Sequence, residues 1–285
     1  PPNQYPVTAT ATGKRVRTLQ TNAEYAEKYT RADVPKREFF TMTTDDGVKL
    51  NGYMVKPVDF DPSKKYPVIM SQYSGPGSQQ VLNKWKLDWE EFFASQGYIV
   101  GCVDGRGTGG RGKAFESVVY MNLGKYETID QLAAARHMAQ QPYVDKDRIG
   151  IWGWSYGGFN TLMSMSEGRG VFRAGVAVAP PTSYRFYDTV YTERYMRTPN
   201  ENKAGYDDNP ITRASKLHGS LLICHGLADD NVHPQNTFEY AEALVQAGKD
   251  FKMNVYTNRN HSIFGGNTRN HLLRQITEFF IEKMK

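Results

Sequence analysis

Ile149-Gly150-Ile151-Trp152-Gly153-Trp154-Ser155-Tyr156-Gly157-Gly158 contains Gly-x-Ser-x-Gly at a change of periodicity. Ile149–Trp152 is a short, apolar, β-prone run, and Phe159–Met165 begins a helical pattern. The five-residue pattern alone is short enough to arise by chance. Between a strand and a helix it predicts a strained turn that lifts the serine hydroxyl above the end of a sheet. The flanking glycines then have a steric reason, because side chains there would clash with the adjoining strand and helix. A glycine-rich turn with an incidental serine leaves that context unexplained. Ser155 is the predicted nucleophile.

Outward from this turn, six short apolar runs alternate with helical patterns. The runs are Tyr66–Tyr73, Tyr98–Val103, Ile149–Gly153, Ala174–Ala179, Ser220–His225 and Phe251–Thr257. They are continuous rather than alternating, as strands covered on both faces are. Helices are predicted over Trp85–Ser95, Tyr126–Gln140, Gly157–Glu167, Pro234–Gln246 and Asn270–Met284. This order predicts an α/β fold with a mainly parallel sheet and helices on both faces. Lys14–Gln20 and Lys49–Val55 alternate polar and apolar residues and are predicted to be antiparallel strands. The polar, aromatic, turn-rich stretch Ser183–Ser215 reads as an insertion above the sheet.

A serine hydroxyl needs a base to take its proton. Leu221–Val232 is a strand running into the acidic loop Ala228-Asp229-Asp230-Asn231, which offers Asp229 or Asp230 as the orienting carboxylate. Asp230 suits a helix cap before Pro234–Gln246 better. Of the histidines that follow, His233 is too close in the chain to face the acid, and His271 falls in the terminal helix. His261, in the loop Asn258-Arg259-Asn260-His261-Ser262, is the expected base. The oxyanion should receive the backbone N–H of Tyr156. A second donor should come from the end of the strand Tyr66–Tyr73, where Tyr73 is offered and where a packing role is equally open.

Composition bounds the alternatives. The chain has 285 residues and a formal charge of +5, with basic residues scattered rather than arranged in a stripe, so no nucleic acid is expected. No apolar run approaches the ~18–20 residues needed to cross a bilayer. The start Pro1-Pro2-Asn3, without Met, suggests a processed or excised fragment. Cys102 and Cys224 sit in apolar runs and read as buried free thiols. No metal or cofactor is expected. Gly107-Thr108-Gly109-Gly110-Arg111-Gly112 fits a dinucleotide fingerprint, but Lys113–Leu123 shows no helical period. It reads as a structural loop, with Asp104 and Arg106 as a candidate pair. Asn260-His261-Ser262 is a glycosylation pattern beside the expected base, where a glycan would block the site.

The assembled residues resemble the prolyl oligopeptidase-type serine peptidases, in the dipeptidyl peptidase IV branch. The resemblance rests on Gln72-Tyr73-Ser74-Gly75-Pro76, Asp104-Gly105-Arg106-Gly107, Ile151–Gly158, Tyr187–Tyr195 (Tyr-Asp-Thr-Val-Tyr-Thr-Glu-Arg-Tyr) and His225-Gly226 with Ala228–His233. It runs from about Arg37 to the C-terminus and implies an α/β-hydrolase fold with an eight-stranded sheet. It implies Ser155, Asp229 and His261 as the triad, which decides for Asp229, and the Tyr73 hydroxyl as the second oxyanion donor. It places Tyr156, Tyr187 and Tyr191 around a small slot for proline or alanine, with Trp154 and Val232 near it. Asn231 matches a residue that polarises the substrate carbonyl, and Tyr184 stands where relatives carry tryptophan.

The implied activity is release of N-terminal Xaa-Pro or Xaa-Ala dipeptides from peptides. Two departures stand out. Ser262 replaces the glycine usual after the histidine, and the family's β-propeller, which grips the substrate amine, finds no counterpart here. Residues 1–30 are expected to be a linker and the tail of that propeller, and 31–285 the catalytic domain. The glycosylation pattern at Asn260 favours a bacterial host that does not glycosylate, and the resemblance implies a periplasmic, envelope or secreted location and a homodimer formed partly through the terminal helix. Two other classes remain: an esterase or acyl-transfer enzyme on the same fold, and a non-catalytic interaction homologue. The first would need an apolar acyl channel, which the polar 183–215 stretch does not suggest. The second is disfavoured by an intact set of Ser155, Asp229 and His261.

Overall fold

Each of the six apolar runs is a strand in the computed structural model, which describes residues 7–84, 87–167 and 170–285. Strands β1 (Val7–Ala9) and β2 (Arg15–Thr18) form an antiparallel pair apart from the main sheet. Helix α1 (Ala23–Arg31) follows and buries no residue. Next come β3 (Arg37–Thr43), β4 (Lys49–Val55), β5 (Tyr66–Ser71), α2 (Trp89–Ser95), β6 (Ile99–Asp104), α3 (Lys113–Ser117) and α4 (Lys125–Ala139). Then β7 (Val144–Trp154), α5 (Tyr156–Glu167) and β8 (Ala174–Val178) lead to the insertion, which holds α6 (Thr189–Met196) and α7 (Lys203–Asp207). After it come β9 (Ser220–Gly226), α8 (Gln235–Gln246), β10 (Lys252–Tyr256) and α9 (Thr268–Lys283).

Eight strands make one sheet in the order β10-β9-β8-β7-β5-β6-β4-β3. Strands β5 to β10 are mutually parallel, and β4 and β3 are antiparallel. This is the α/β-hydrolase fold. Helical crossovers force the parallel pairing, because a tight turn can join only antiparallel neighbours. Successive strand residues serve opposite faces. Val68 and Met70 of β5 join α4, α5 and α8 through Leu132, Met138, Leu162, Met165, Tyr240 and Leu244. Ile69 joins α2 and α9 through Phe93, Leu272, Ile276 and Phe280 on the other face. Each such fully buried side chain contributes roughly 1.5–3 kcal/mol. Two-sided burial explains why β5 to β9 read as unbroken apolar runs; β10, at the edge of the sheet, leaves Met253 and Val255 exposed and is not covered on both faces as its run suggests.

Three local expectations are corrected. Helix α2 starts at Trp89, not Trp85; the Asp88 side chain accepts the Trp89 N–H at 2.9 Å and Glu91 accepts the Asp88 N–H at 2.8 Å. Trp85 and Lys86 lie outside the described residues. Lys113–Leu123 contains α3, whose five residues are too few to show a period. Asp104 and Arg106 do not pair: Asp104 accepts the N–H groups of Gln80 and Val81, the latter at 2.8 Å. Arg106 instead forks onto the fully buried Asp130, with Nη2–Oδ1 at 2.6 Å, and reaches Asp46 at 2.7 Å. Asp130, wholly enclosed, takes the guanidinium, whereas the less deeply buried Asp104 is satisfied by backbone donors.

The glycine-rich loop is structural. The Gly107, Thr108 and Gly109 N–H groups donate to Phe115, Gly105 and Ser78 carbonyls, so they are not free to cradle phosphates. Cys102 and Cys224 are buried free thiols. Burial raises both, that of Cys224 to about 12, which keeps them protonated and unreactive.

Candidate active site

Ser155 follows the last residue of β7 and precedes the first of α5 with φ +58, a left-handed conformation costly for a serine. Its N–H donates to Val178 O at 2.8 Å and its C=O accepts from Phe159 N at 3.0 Å, so strand and helix clamp the turn from both sides. The glycine requirement is steric. A Cβ on Gly153 would lie 2.4 Å from the Gly157 carbonyl, and one on Gly157 would lie 2.5 Å from Gln72 O. The helix can therefore start hard against β7 and β5 only with glycine at both positions.

The other expected residues also lie just past the carboxyl ends of parallel strands, the face on which such sheets hold ligands. Asp229 follows β9, His261 follows β10 and Tyr73 follows β5. His261 Nδ1 is 2.8 Å from Asp229 Oδ2, and Asp229 Oδ1 accepts the N–H groups of Asn231 and Val232, each at 3.0 Å. Asp230 takes no part in this contact. The Asp229 side chain is fully buried and that of His261 is 22 % exposed. Burial works against ionisation of Asp229, but hydrogen bonds from His225 and His261 and the charge at His261 hold its carboxyl well below the usual range. The two loops are stitched together: Leu227 N–H donates to Tyr256 O at 2.9 Å and Ala228 N–H to Arg259 O at 3.0 Å.

The Tyr73 phenol interacts with the Ser155 side chain, and burial raises it above its ordinary value, so it stays protonated and able to donate at neutral pH. Its neighbours fix it. Gln72 Nε2 donates to Gly157 O at 2.7 Å, Asn160 and Ser74 donate to Gln72 Oε1, and Gln131 donates to Ser74 Oγ at 3.2 Å. The Tyr156 N–H sits in the first turn of α5, where backbone donors have no acceptor within the helix.

The expected pocket residues separate into two groups. Tyr73, Tyr156, Tyr184, Tyr187 and Tyr191 form one aromatic cluster, joined by Tyr195. Tyr187 stands edge-on to Tyr191 at 5.4 Å, and Tyr184 stacks on Tyr191 at 6.5 Å. The Tyr187 hydroxyl donates to Asn231 Oδ1 at 2.8 Å, tying the insertion to the Asp229 loop. Trp154 packs in a different cluster, donates Nε1–H to His261 O at 3.0 Å, and carries Arg269 4.7 Å above its ring. Val232 is fully buried and directs its carbonyl to His225. An open cleft of 520 Å³ lies beside Tyr187, Asp188 and Asn231, and one of 600 Å³ beside Arg259, Ser262, Phe264 and Arg269.

Sequence reasoning missed two buried titratable groups here. Glu127 accepts the Tyr156 hydroxyl at 2.5 Å and is pushed up to about 7 by burial. Its signal was a carboxylate on the core face of a helix. His225 touches Asp229; the sequence placed it at the end of an apolar strand and in the His225-Gly226 motif, with no role of its own. Among the described residues, no group of three or more His, Cys, Asp or Glu side chains is arranged to hold a metal ion.

The family model described as "Prolyl oligopeptidase family" matches residues 85–285. A probable dipeptidyl-aminopeptidase B of Grosmannia clavigera is 46% identical over 265 residues, covering 89% of this chain and 27% of that protein. The crystal structure of Porphyromonas gingivalis dipeptidyl peptidase 4 superposes with a TM-score of 0.94 at 53% identity, covering 96% of this chain and 39% of that one. A putative dipeptidyl aminopeptidase IV from Bacteroides ovatus gives 0.89 at 36% identity, with the same coverage. The chain thus spans between 27% and 39% of the length of these relatives. With a family model over most of its length and an α/β-hydrolase sheet beneath the Ser155 turn, the chain belongs to the prolyl oligopeptidase family.

Proposed function

We propose that this chain is the catalytic part of a serine peptidase that releases N-terminal Xaa-Pro or Xaa-Ala dipeptides through an acyl-enzyme on Ser155. The observation that carries the reading is the strained Ser155 turn above the His261–Asp229 pair, with the Tyr73 phenol on the serine side chain. Ser155 Oγ attacks the carbonyl carbon of the second residue, and its proton passes to His261 Nε2. Asp229 fixes the Nδ1–H tautomer and stabilises the imidazolium. The oxyanion is met by the Tyr156 N–H and the Tyr73 O–H. His261 then protonates the departing amine, and water, deprotonated by the same imidazole, hydrolyses the ester.

Substrate choice falls to the tyrosine cluster. Tyr156, Tyr184, Tyr187 and Tyr191 present flat apolar faces that suit a pyrrolidine ring or a methyl group, with Trp154 and Val232 at its margin. Asn231 polarises the substrate carbonyl from its place beside Tyr187. Recognition of the free amine is assigned to a β-propeller in the longer parent, of which the β1–β2 pair is the tail. We further place the parent in the periplasm, envelope or exterior, as a homodimer; cell fractionation and sedimentation test both. Among the described residues, no helix is long and apolar enough to cross a membrane.

The experiment is hydrolysis of Gly-Pro and Ala-Pro chromogenic amides by the full-length parent. Release of the dipeptide supports the reading. Fast ester cleavage with no cleavage of proline amides overturns it in favour of an esterase.

A further inference from the structure

His225 is 1 % exposed, and no step above uses it. Its ring joins three elements. Nδ1 lies 2.6 Å from Thr237 Oγ1 on α8, and Nε2 lies 2.8 Å from Val232 O and 3.2 Å from Asp229 Oδ2. The tautomer follows from the partners. A carbonyl and an ionised carboxylate only accept, so Nε2 carries the proton, and in the neutral ring Nδ1 accepts the Thr237 hydroxyl. Asp229 Oδ2 therefore serves two imidazoles, His261 at 2.8 Å and His225 at 3.2 Å, while two backbone N–H groups hold Oδ1.

We infer that His225 is a positioning residue that shares the Asp229 carboxylate with His261 and thereby sets the basicity of the His261–Asp229 pair. The inference rests on the proposed Ser155–His261–Asp229 relay. An oxygen with two donors pulls less on each. Without His225, Asp229 would bind the His261 N–H more strongly and favour its imidazolium. The carboxylate would also lose a donor that stabilises its ionised form. Both changes move the acid limb of the pair to higher pH, because the two groups titrate together.

Other charged or titratable groups lie near the pair: Asp230 and His233 follow Asp229 on its own loop, Tyr187 from the insertion feels the Asp229 charge, the Arg259 carbonyl accepts the Ala228 N–H, and Arg269 donates to the Ser262 carbonyl next to His261. Among the described residues, only His225 and His261 bring titratable side chains into hydrogen-bonding contact with Asp229.

The test is the second-order rate of Ser155 phosphonylation by a fluorophosphonate, measured on the full-length parent from about pH 5 to 9. His225→Leu should raise the acid limb by about 0.5–1 pH unit, so the rate falls roughly three- to tenfold more at the acid end than on the plateau. His225→Gln, which keeps an amide donor near the Nε2 position, should return the limb to the wild-type value. Thr237→Val, which removes the partner of Nδ1 without touching Asp229, should shift it in the same direction by less. A uniform loss with an unmoved limb, or a Gln variant no better than Leu, overturns the inference. Where His225→Leu does not fold, an unmoved limb in Thr237→Val overturns it. Failure of the wild-type parent to be labelled at Ser155 would overturn the relay itself, a distinct result.

Discussion

Replacing Tyr73 by Phe removes one oxygen and leaves the ring in place. The ring packs 6.2 Å from that of Tyr156, and the backbone on either side is pinned through Gln72 and Ser74, so the pocket wall should not move. In the proposed mechanism, what is lost is one of two donors to the oxyanion. Loss of such a donor costs about 2.7–4 kcal/mol, or 10²–10³ in kcat, with little change in KM. The Tyr156 N–H remains, so a residual rate survives. The assay is hydrolysis of a Gly-Pro chromogenic amide by the full-length parent carrying Tyr73→Phe, with a thermal melt as control. The expected result is a fall of about a hundredfold or more in kcat with Tm within about 2 °C of wild type. A loss below about threefold would refute the role given to Tyr73. An equally large fall in stability would show that the phenol serves packing instead.

Three further outcomes follow from the geometry. Gly157→Ala brings a Cβ to 2.5 Å from Gln72 O and 3.2 Å from Tyr73 Cα, so denaturant melts should show a loss of about 1–3 kcal/mol and activity should fall about a hundredfold. Glu127 is raised in the folded state to about 7 from an ordinary value near 4.5, so the folded chain binds the extra proton and stability declines as pH rises between those values. The decline is on the order of 3 kcal/mol, and Glu127→Gln should flatten it in melts across that range. Arg106→Leu leaves the Asp130 carboxylate buried without its cation and should cost about 3–5 kcal/mol, most of it recovered in the Arg106→Leu/Asp130→Leu double variant.

The parts legible in the sequence share a cause. Strands covered on both faces must be apolar throughout, so β5 to β9 announced themselves as runs, and the Gly-x-Ser-x-Gly turn announced its own geometry through steric need. What was illegible depends on partners far apart in the chain. Arg106 chose Asp130 and Asp46 over Asp104, two residues away, because Asp130 is wholly enclosed while backbone donors satisfy Asp104. His225, at the end of a buried strand, had no role of its own until the fold set it against Asp229 and Thr237. Tyr156 lies in the aromatic cluster as expected, and its hydroxyl donates to Glu127, a partner 29 residues away whose only signal was a carboxylate on the core face of a helix. Helix α3 and the true start of α2 were set by too few residues for a period to form.

The most direct measurement is peptide mass spectrometry of the chain after reaction with a fluorophosphonate. A working relay predicts one phosphonylated residue, Ser155, with labelling lost in Ser155→Ala and slowed by about four orders of magnitude in His261→Ala. Labelling elsewhere, or labelling of Ser155 at an unchanged rate without His261, would contradict the account.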